Sequence, residues 1–101
     1  MLRLLSIAVL LCAPAMAEES SAKTELINLV HQDCGSCHGL TLKGGLGPDI
    51  RPESLSHYDI ETLAAVVLDG IPETAMPPWR PLLSEADADR IAKYLLQGEL
   101  K

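Results

Sequence analysis

The sequence predicts an all-α domain: three main helices joined by two long loops that wrap something other than their own side chains. Three observations carry this. Apolar residues recur at helical spacing in three stretches, and no segment shows strand alternation. The stretches are separated by connections rich in Gly and Pro, and structureless loops of that length in a compact domain are usually functional. Finally, aromatic residues make up 3% of the 101-residue chain and phenylalanine is absent, leaving Tyr58, Trp79 and Tyr94 as the only large rings. A domain this small buries a modest core and needs a staple of another kind.

The N-terminal segment reads as export machinery, outside the fold. Met1-Leu2-Arg3 is a short positive start, residues 4–13 are a near-apolar run, and Ala15-Met16-Ala17 is a small-residue cleavage pattern before Glu18-Glu19. The run falls short of the about 20 residues that span a bilayer. The rivals are a retained anchor or a lipoprotein acylated at Cys12, but Leu11 stands where a lipoprotein signal wants a small residue. The expected division is therefore a removed signal peptide over 1–17 and one domain over 18–101, with no stable membrane insertion after processing.

In the remaining chain, Ser20 and Ser21 are placed to cap a first helix running to about Asp33. Leu26, Ile27, Val30 and Cys34 fall on one stripe of it. Residues 39–52 break the pattern with Gly39, Gly44, Gly45, Gly47-Pro48 and Pro52. In the second helix Ile60, Leu63, Ala64, Val67 and Leu68 follow the i, i+3, i+4, i+7, i+8 template, with Ser56 or Asp59 as its start and Gly70 as its stop. Pro72, Pro77, Pro78 and Pro81 make residues 71–83 a stiff loop with few backbone donors. Ser84 and Asp87 form a capping-box pattern opening the third helix, which carries Ala88, Ile91, Ala92, Leu95 and Leu96 on one face and ends at Gly98.

Charge excludes one class of function. Eight basic against 14 acidic side chains give a formal net charge of -6, with no basic stripe to displace counterions from nucleic-acid phosphates. Removal of 1–17 takes Arg3 with it and leaves 84 residues with 7 basic against 14 acidic side chains, a net charge of -7. It also leaves Cys34 and Cys37 as the only cysteines. In an exported chain two nearby thiols oxidise unless other chemistry captures them.

That chemistry is written in Cys34-Gly35-Ser36-Cys37-His38, a C-x-x-C-H signal for attachment of c-type haem. Thiols three positions apart on a helical turn can each form a thioether to a haem vinyl group, and His38 is then held beneath the iron. Gly35 and Ser36 are small enough for the porphyrin to lie close to the backbone. The competing readings are a thioredoxin-like redox pair, which should sit in a βαβ context, half of a zinc site, which needs further ligands, and a structural disulfide. The export signal, the final histidine and the missing strands favour haem.

A low-spin electron-transfer haem needs a second axial ligand. Met1 and Met16 leave with the signal, so Met76 is the one thioether of the mature chain. It lies in Thr74-Ala75-Met76-Pro77-Pro78-Trp79, whose prolines fix the loop path. Methionine opposite histidine raises the reduction potential, which suits an electron carrier, and a closed sixth position argues against a haem enzyme or gas sensor. The other candidates are His31 and His57, each more readily read as a solvated or capping histidine. Among supporting residues, the carbonyl of Pro48 can accept from His38 Nδ1 and raise the basicity of the ring. Trp79 is a candidate for the haem edge. Arg51 or Arg80 is a candidate to neutralise a propionate, each equally readable as an ordinary surface charge.

Together these residues resemble a class I cytochrome c: a haem motif near the mature N-terminus, Gly47-Pro48 in the next loop, a methionine loop about 40 residues on and a terminal helix with Tyr94-Leu95. The run from Asp33 through Cys34-Gly35-Ser36-Cys37-His38-Gly39-Leu40 and Thr41-Leu42-Lys43-Gly44-Gly45-Leu46-Gly47-Pro48, with Thr74-Ala75-Met76-Pro77-Pro78-Trp79, is similar to the cytochrome c55X family over about Glu25 to Gly98. The resemblance implies a class I cytochrome c fold around one covalent haem c, in the periplasm of a denitrifying bacterium. It implies a non-enzymatic carrier passing single electrons to cytochrome cd1 nitrite reductase or, as the alternative, a factor supporting haem d1 biosynthesis or insertion into that reductase. The acidic surplus is suited to a basic docking patch on such a partner.

Overall fold

The computed structural model describes residues 6–9 and 15–99. Among these, the chain is helical with no strand. The first helical stretch has three parts: α1 over Ala15–Leu29, a π-helical turn over Val30–Cys34, and α2 over Gly35–His38. A 3₁₀ turn over Pro52–Ser54 interrupts the first long connection, and α3 (Ile60–Asp69) and α4 (Glu85–Gln97) follow. The signal reading of 1–17 falls mostly outside the described residues, as do Met1 and Cys12.

The N-terminal expectation needs correcting. Ser20 and Ser21 lie inside α1 and do not cap it, because the helix already starts at Ala15. The stretch also runs past Asp33 to His38 by way of the π turn, where Gly35 N–H donates to the Val30 carbonyl, five residues back. Such single-turn π insertions often mark functional sites. One extra residue rotates everything beyond it by about 100°, which re-aims the turn carrying both cysteines relative to α1.

The two later helices match their sequence patterns. Asp59 is the N-cap of α3, its carboxylate accepting from Thr62 N–H at 2.7 Å. Ser84 Oγ accepts from Asp87 N–H at 3.1 Å while Asp87 accepts from Ser84 N–H at 3.3 Å, so the capping box is complete. Gly98 ends α4 in the left-handed region, φ 78°.

The core gathers Leu26 and Val30 from the first stretch, Leu63, Val67 and Leu68 from α3, and Ala88, Ile91, Ala92 and Leu95 from α4. Leu42, Ile50, Leu55 and Leu83 join it from the connections. Burial on this scale contributes about 1.5–3 kcal/mol per large aliphatic side chain. Leu42 shows that the first long loop is part of this core. It is buried at φ 63°, a conformation costing a non-glycine residue about 1–2 kcal/mol. That cost is offset by the burial and by two backbone bonds, Leu42 N–H to the Gly39 carbonyl (2.9 Å) and Ile50 N–H to the Leu42 carbonyl (3.0 Å). No helix of the described residues is long and apolar enough to cross a membrane.

Candidate haem-binding site

Cys34 and Cys37 are free thiols three positions apart on one helical turn, Cys34 half-buried against the core and Cys37 exposed. Burial pushes the Cys34 thiol up to about 11, and the charge of Asp33 adds to the effect, so it is protonated at neutral pH. Gly39, at φ 87°, ends the turn immediately after His38. The chain then doubles back: Gly44 N–H donates to the His38 carbonyl at 2.8 Å and Gly47 N–H to the Cys37 carbonyl at 2.7 Å.

This return brings Pro48 to His38. His38 Nδ1–H donates to the Pro48 carbonyl at 2.7 Å, in the tautomer that a carbonyl partner demands, leaving Nε2 as the lone-pair nitrogen. Gly47 lies against the imidazole face so closely that a Cβ there would stand 2.8 Å from Nδ1 and Cε1. Loop and ring are thus fitted to each other, and the ring has one orientation.

The methionine loop is held by the end of α3. Gly70, at φ 68°, lets the chain turn so tightly that a Cβ there would be 2.6 Å from the Met76 carbonyl. Ile71 N–H donates to that carbonyl at 3.2 Å, and Met76 N–H donates to Thr74 Oγ1 at 3.3 Å. The far end returns to the same helix, with Trp79 N–H on the Val67 carbonyl (3.1 Å) and Arg80 N–H on the Leu68 carbonyl (3.0 Å). Met76 is half-buried, and the half-buried Trp79 packs against the core.

The other residues singled out from the sequence have different roles. His31 is not a solvated or capping histidine. Its Nδ1–H donates to the Leu40 carbonyl at 3.0 Å and its Nε2 accepts from Tyr94 O–H at 2.7 Å, with the rings edge to face. Both nitrogens are occupied, which removes it as a competitor for iron and ties the first helical stretch to α4. His57 is exposed and rests against Tyr58. Arg51 is paired with Asp49 (2.6 Å) and Glu53 (3.1 Å), and Arg80 with Asp69 (2.8 Å) and Glu85 (3.6 Å), so both guanidiniums already face carboxylates. Sequence reasoning missed these partners and Tyr94, because none carries a local signal of pairing.

The donor set suits haem. Two thiols on one turn, neither in a disulfide, precede an imidazole whose second nitrogen is tied back, and Met76 offers a thioether on a stiff loop, a donor set of the kind that holds haem. The connections also carry exposed apolar side chains, with Leu40 72%, Leu46 96% and Leu82 75% exposed.

Comparison with known proteins agrees. Residues 21–95 match the family described as "Cytochrome C oxidase, cbb3-type, subunit III". The chain is 52% identical to cytochrome c55X of Paracoccus denitrificans (strain Pd 1222), covering 98% of each chain. Among solved structures it is similar to the c-type cytochrome NirC, with a TM-score of 0.74 and 46% identity over 87% of this chain and 98% of that one. It is also similar to the dihydro-heme d1 dehydrogenase NirN in complex with DHE, with a TM-score of 0.67 and 35% identity over 79% of this chain but 17% of that one.

Proposed function

Since this chain belongs to the cytochrome c55X family of c-type cytochromes with covalently bound haem c, we propose that it is a periplasmic carrier delivering single electrons to cytochrome cd1 nitrite reductase. Cys34 and Cys37 would attach the haem through their thiols, and His38 and Met76 would hold its iron. When bound, haem c supplies one iron centre that changes oxidation state without making or breaking bonds to a substrate. The observation that carries the reading is the His38–Pro48 hydrogen bond beside two free thiols.

Each residue has a physical task. The Pro48 carbonyl orients the imidazole and raises its basicity. The proline-stiffened loop would hold the Met76 thioether to the iron and keep outside ligands away, which favours a carrier over an enzyme. The half-buried Trp79 anchors that loop on α3, and its indole N–H, with no partner among the described residues, is available to a propionate.

The acidic surplus supports a basic docking patch on the partner. Redox encounters of this kind are small and transient, and steering by opposite charge makes them dependent on salt. The alternative of a haem d1 assembly factor is not favoured: the likeness to the dihydro-heme d1 dehydrogenase is confined to 17% of that chain. Stopped-flow mixing of the reduced holoprotein with oxidised nitrite reductase tests the proposal. Second-order transfer that slows as ionic strength rises is the expected result. Absence of transfer would refute the partner, and a salt-independent rate would refute the steering.

A further inference from the structure

Arg80 occupies the point where the methionine loop ends, and its side chain reaches back to where that loop began. Its guanidinium makes two parallel bonds to Asp69, the last residue of α3, Nε to Oδ1 at 2.8 Å and Nη2 to Oδ2 at 3.0 Å. Nη1 also lies 3.6 Å from Glu85 Oε1, in the first residue of α4. One side chain thus joins the exit from α3, the return of the loop and the start of the next helix. Arg51 offers a contrast, since it pairs within its own turn with Asp49 and Glu53 and bridges no two elements.

We propose that the Asp69–Arg80–Glu85 clasp is a positioning device that keeps the Met76 loop closed and so sets how readily the thioether gives way to another ligand. The inference rests on the reading of Met76 as an axial ligand. Little else holds this loop. Residues 71–75, 77 and 78 are all exposed, so packing contributes little along its length. Pro72, Pro77 and Pro78 have no N–H to bond with. What remains is the local bonding of the loop to itself at Ile71, Thr74 and Met76, its return to α3 through the packed Trp79 and the backbone bonds at Trp79 and Arg80, and this side-chain link between the two ends.

Isolated exposed ion pairs are weak, but a bidentate arginine–carboxylate pair is the geometry in which they do contribute. Here the link closes a short loop, so opening the loop requires breaking it. Arg80 also holds the Asp69 carboxyl below the usual range, mainly through these hydrogen bonds, as a persistent pairing requires.

The test is titration of the ferric holoprotein with imidazole, following loss of the near-infrared sulfur-to-iron charge-transfer band. Arg80→Ala and Asp69→Asn should each bind imidazole roughly two- to five-fold more tightly than the parent, with the difference shrinking at high salt. The exchanged pair Asp69→Arg with Arg80→Asp should recover much of the parent's resistance. Lys93→Ala, which breaks an exposed pair with Asp89 outside the loop (2.9 Å), should match the parent. Unchanged imidazole affinity in both clasp variants, or an equal gain in Lys93→Ala, would overturn the clasp. Met76→Ala separates the two claims. If it keeps the parent's band, the ligand reading falls and the clasp falls with it. If it loses the band while Arg80→Ala binds imidazole like the parent, only the clasp fails.

Discussion

In Gly47→Ala the new Cβ would lie 2.8 Å from His38 Nδ1 and Cε1 and 3.3 Å from Nε2. Ordinary carbon contacts begin near 3.4 Å, so ring or loop must withdraw by about 0.6 Å. Gly47 has no positive φ, which makes the perturbation one of contact alone. The loop cannot move freely, because Gly47 N–H is bonded to the Cys37 carbonyl at 2.7 Å and the Gly47 carbonyl accepts from Gly45 N–H at 2.9 Å. Either movement lengthens the His38–Pro48 bond. Overpacking of this kind costs about 1–3 kcal/mol, and each kcal/mol lowers Tm by about 4–8 °C in a domain this small. On the proposed ligation of iron by His38, the bond would make the imidazole a stronger donor and favour the oxidised iron, so weakening it is expected to raise the reduction potential. A differential loss of about 0.5–1 kcal/mol corresponds to about 20–40 mV for a one-electron couple. Thermal unfolding and a redox titration of the holoprotein read both quantities. A variant with the parent's Tm and potential, or with a lowered potential, would refute the argument that this loop governs the imidazole.

Three further outcomes are expected. Ser84→Ala removes the cap of α4 and should destabilise the holoprotein by about 1 kcal/mol, seen as a lower Tm with an unchanged visible spectrum. Tyr94→Phe leaves His31 Nε2 without its 2.7 Å donor and should cost about 1 kcal/mol, with the largest gain in amide exchange near Leu40, whose carbonyl His31 holds. Asp49, kept at about 2 chiefly by its hydrogen bonds from Arg51, should show a carboxyl carbon shift titrating near that value and not near the ordinary aspartate value of about 3.9. Because the folded value is the lower one, the pair's contribution to stability is complete above about pH 4 and is lost as pH falls toward 2. Arg51→Gln should return the Asp49 midpoint to the ordinary range.

Much of this architecture is legible in the sequence because it depends on near neighbours. Asp59, Gly70, Ser84 with Asp87, and Gly98 all act within one helical turn, and each bounds its helix as its residue type dictates. The contact between His38 and the Pro48 carbonyl spans ten residues but follows from a short, glycine-rich return. The π turn at Val30–Cys34 leaves no trace in the apolar spacing, since one extra residue in a helix is invisible to a periodicity count. The start of α1 at Ala15 carries no local signal of its own, and Ser20 and Ser21 have the residue type of caps although they lie inside the helix. His31 with Tyr94, 63 positions apart, and Arg80 with Asp69 are tertiary meetings that only the fold creates. Leu42 and Glu73 adopt left-handed backbone without being glycine, which turn rules based on residue type do not anticipate.

The central claim is that one haem c, attached at Cys34 and Cys37, has its iron between His38 Nε2 and Met76 sulfur. Near-infrared magnetic circular dichroism of the ferric holoprotein addresses it directly, because histidine–methionine and bis-histidine ligation give charge-transfer bands at different energies. A low-spin histidine–methionine band that disappears in Met76→Ala is the predicted result. A bis-histidine band, or a methionine-type band that persists in Met76→Ala, would contradict the account.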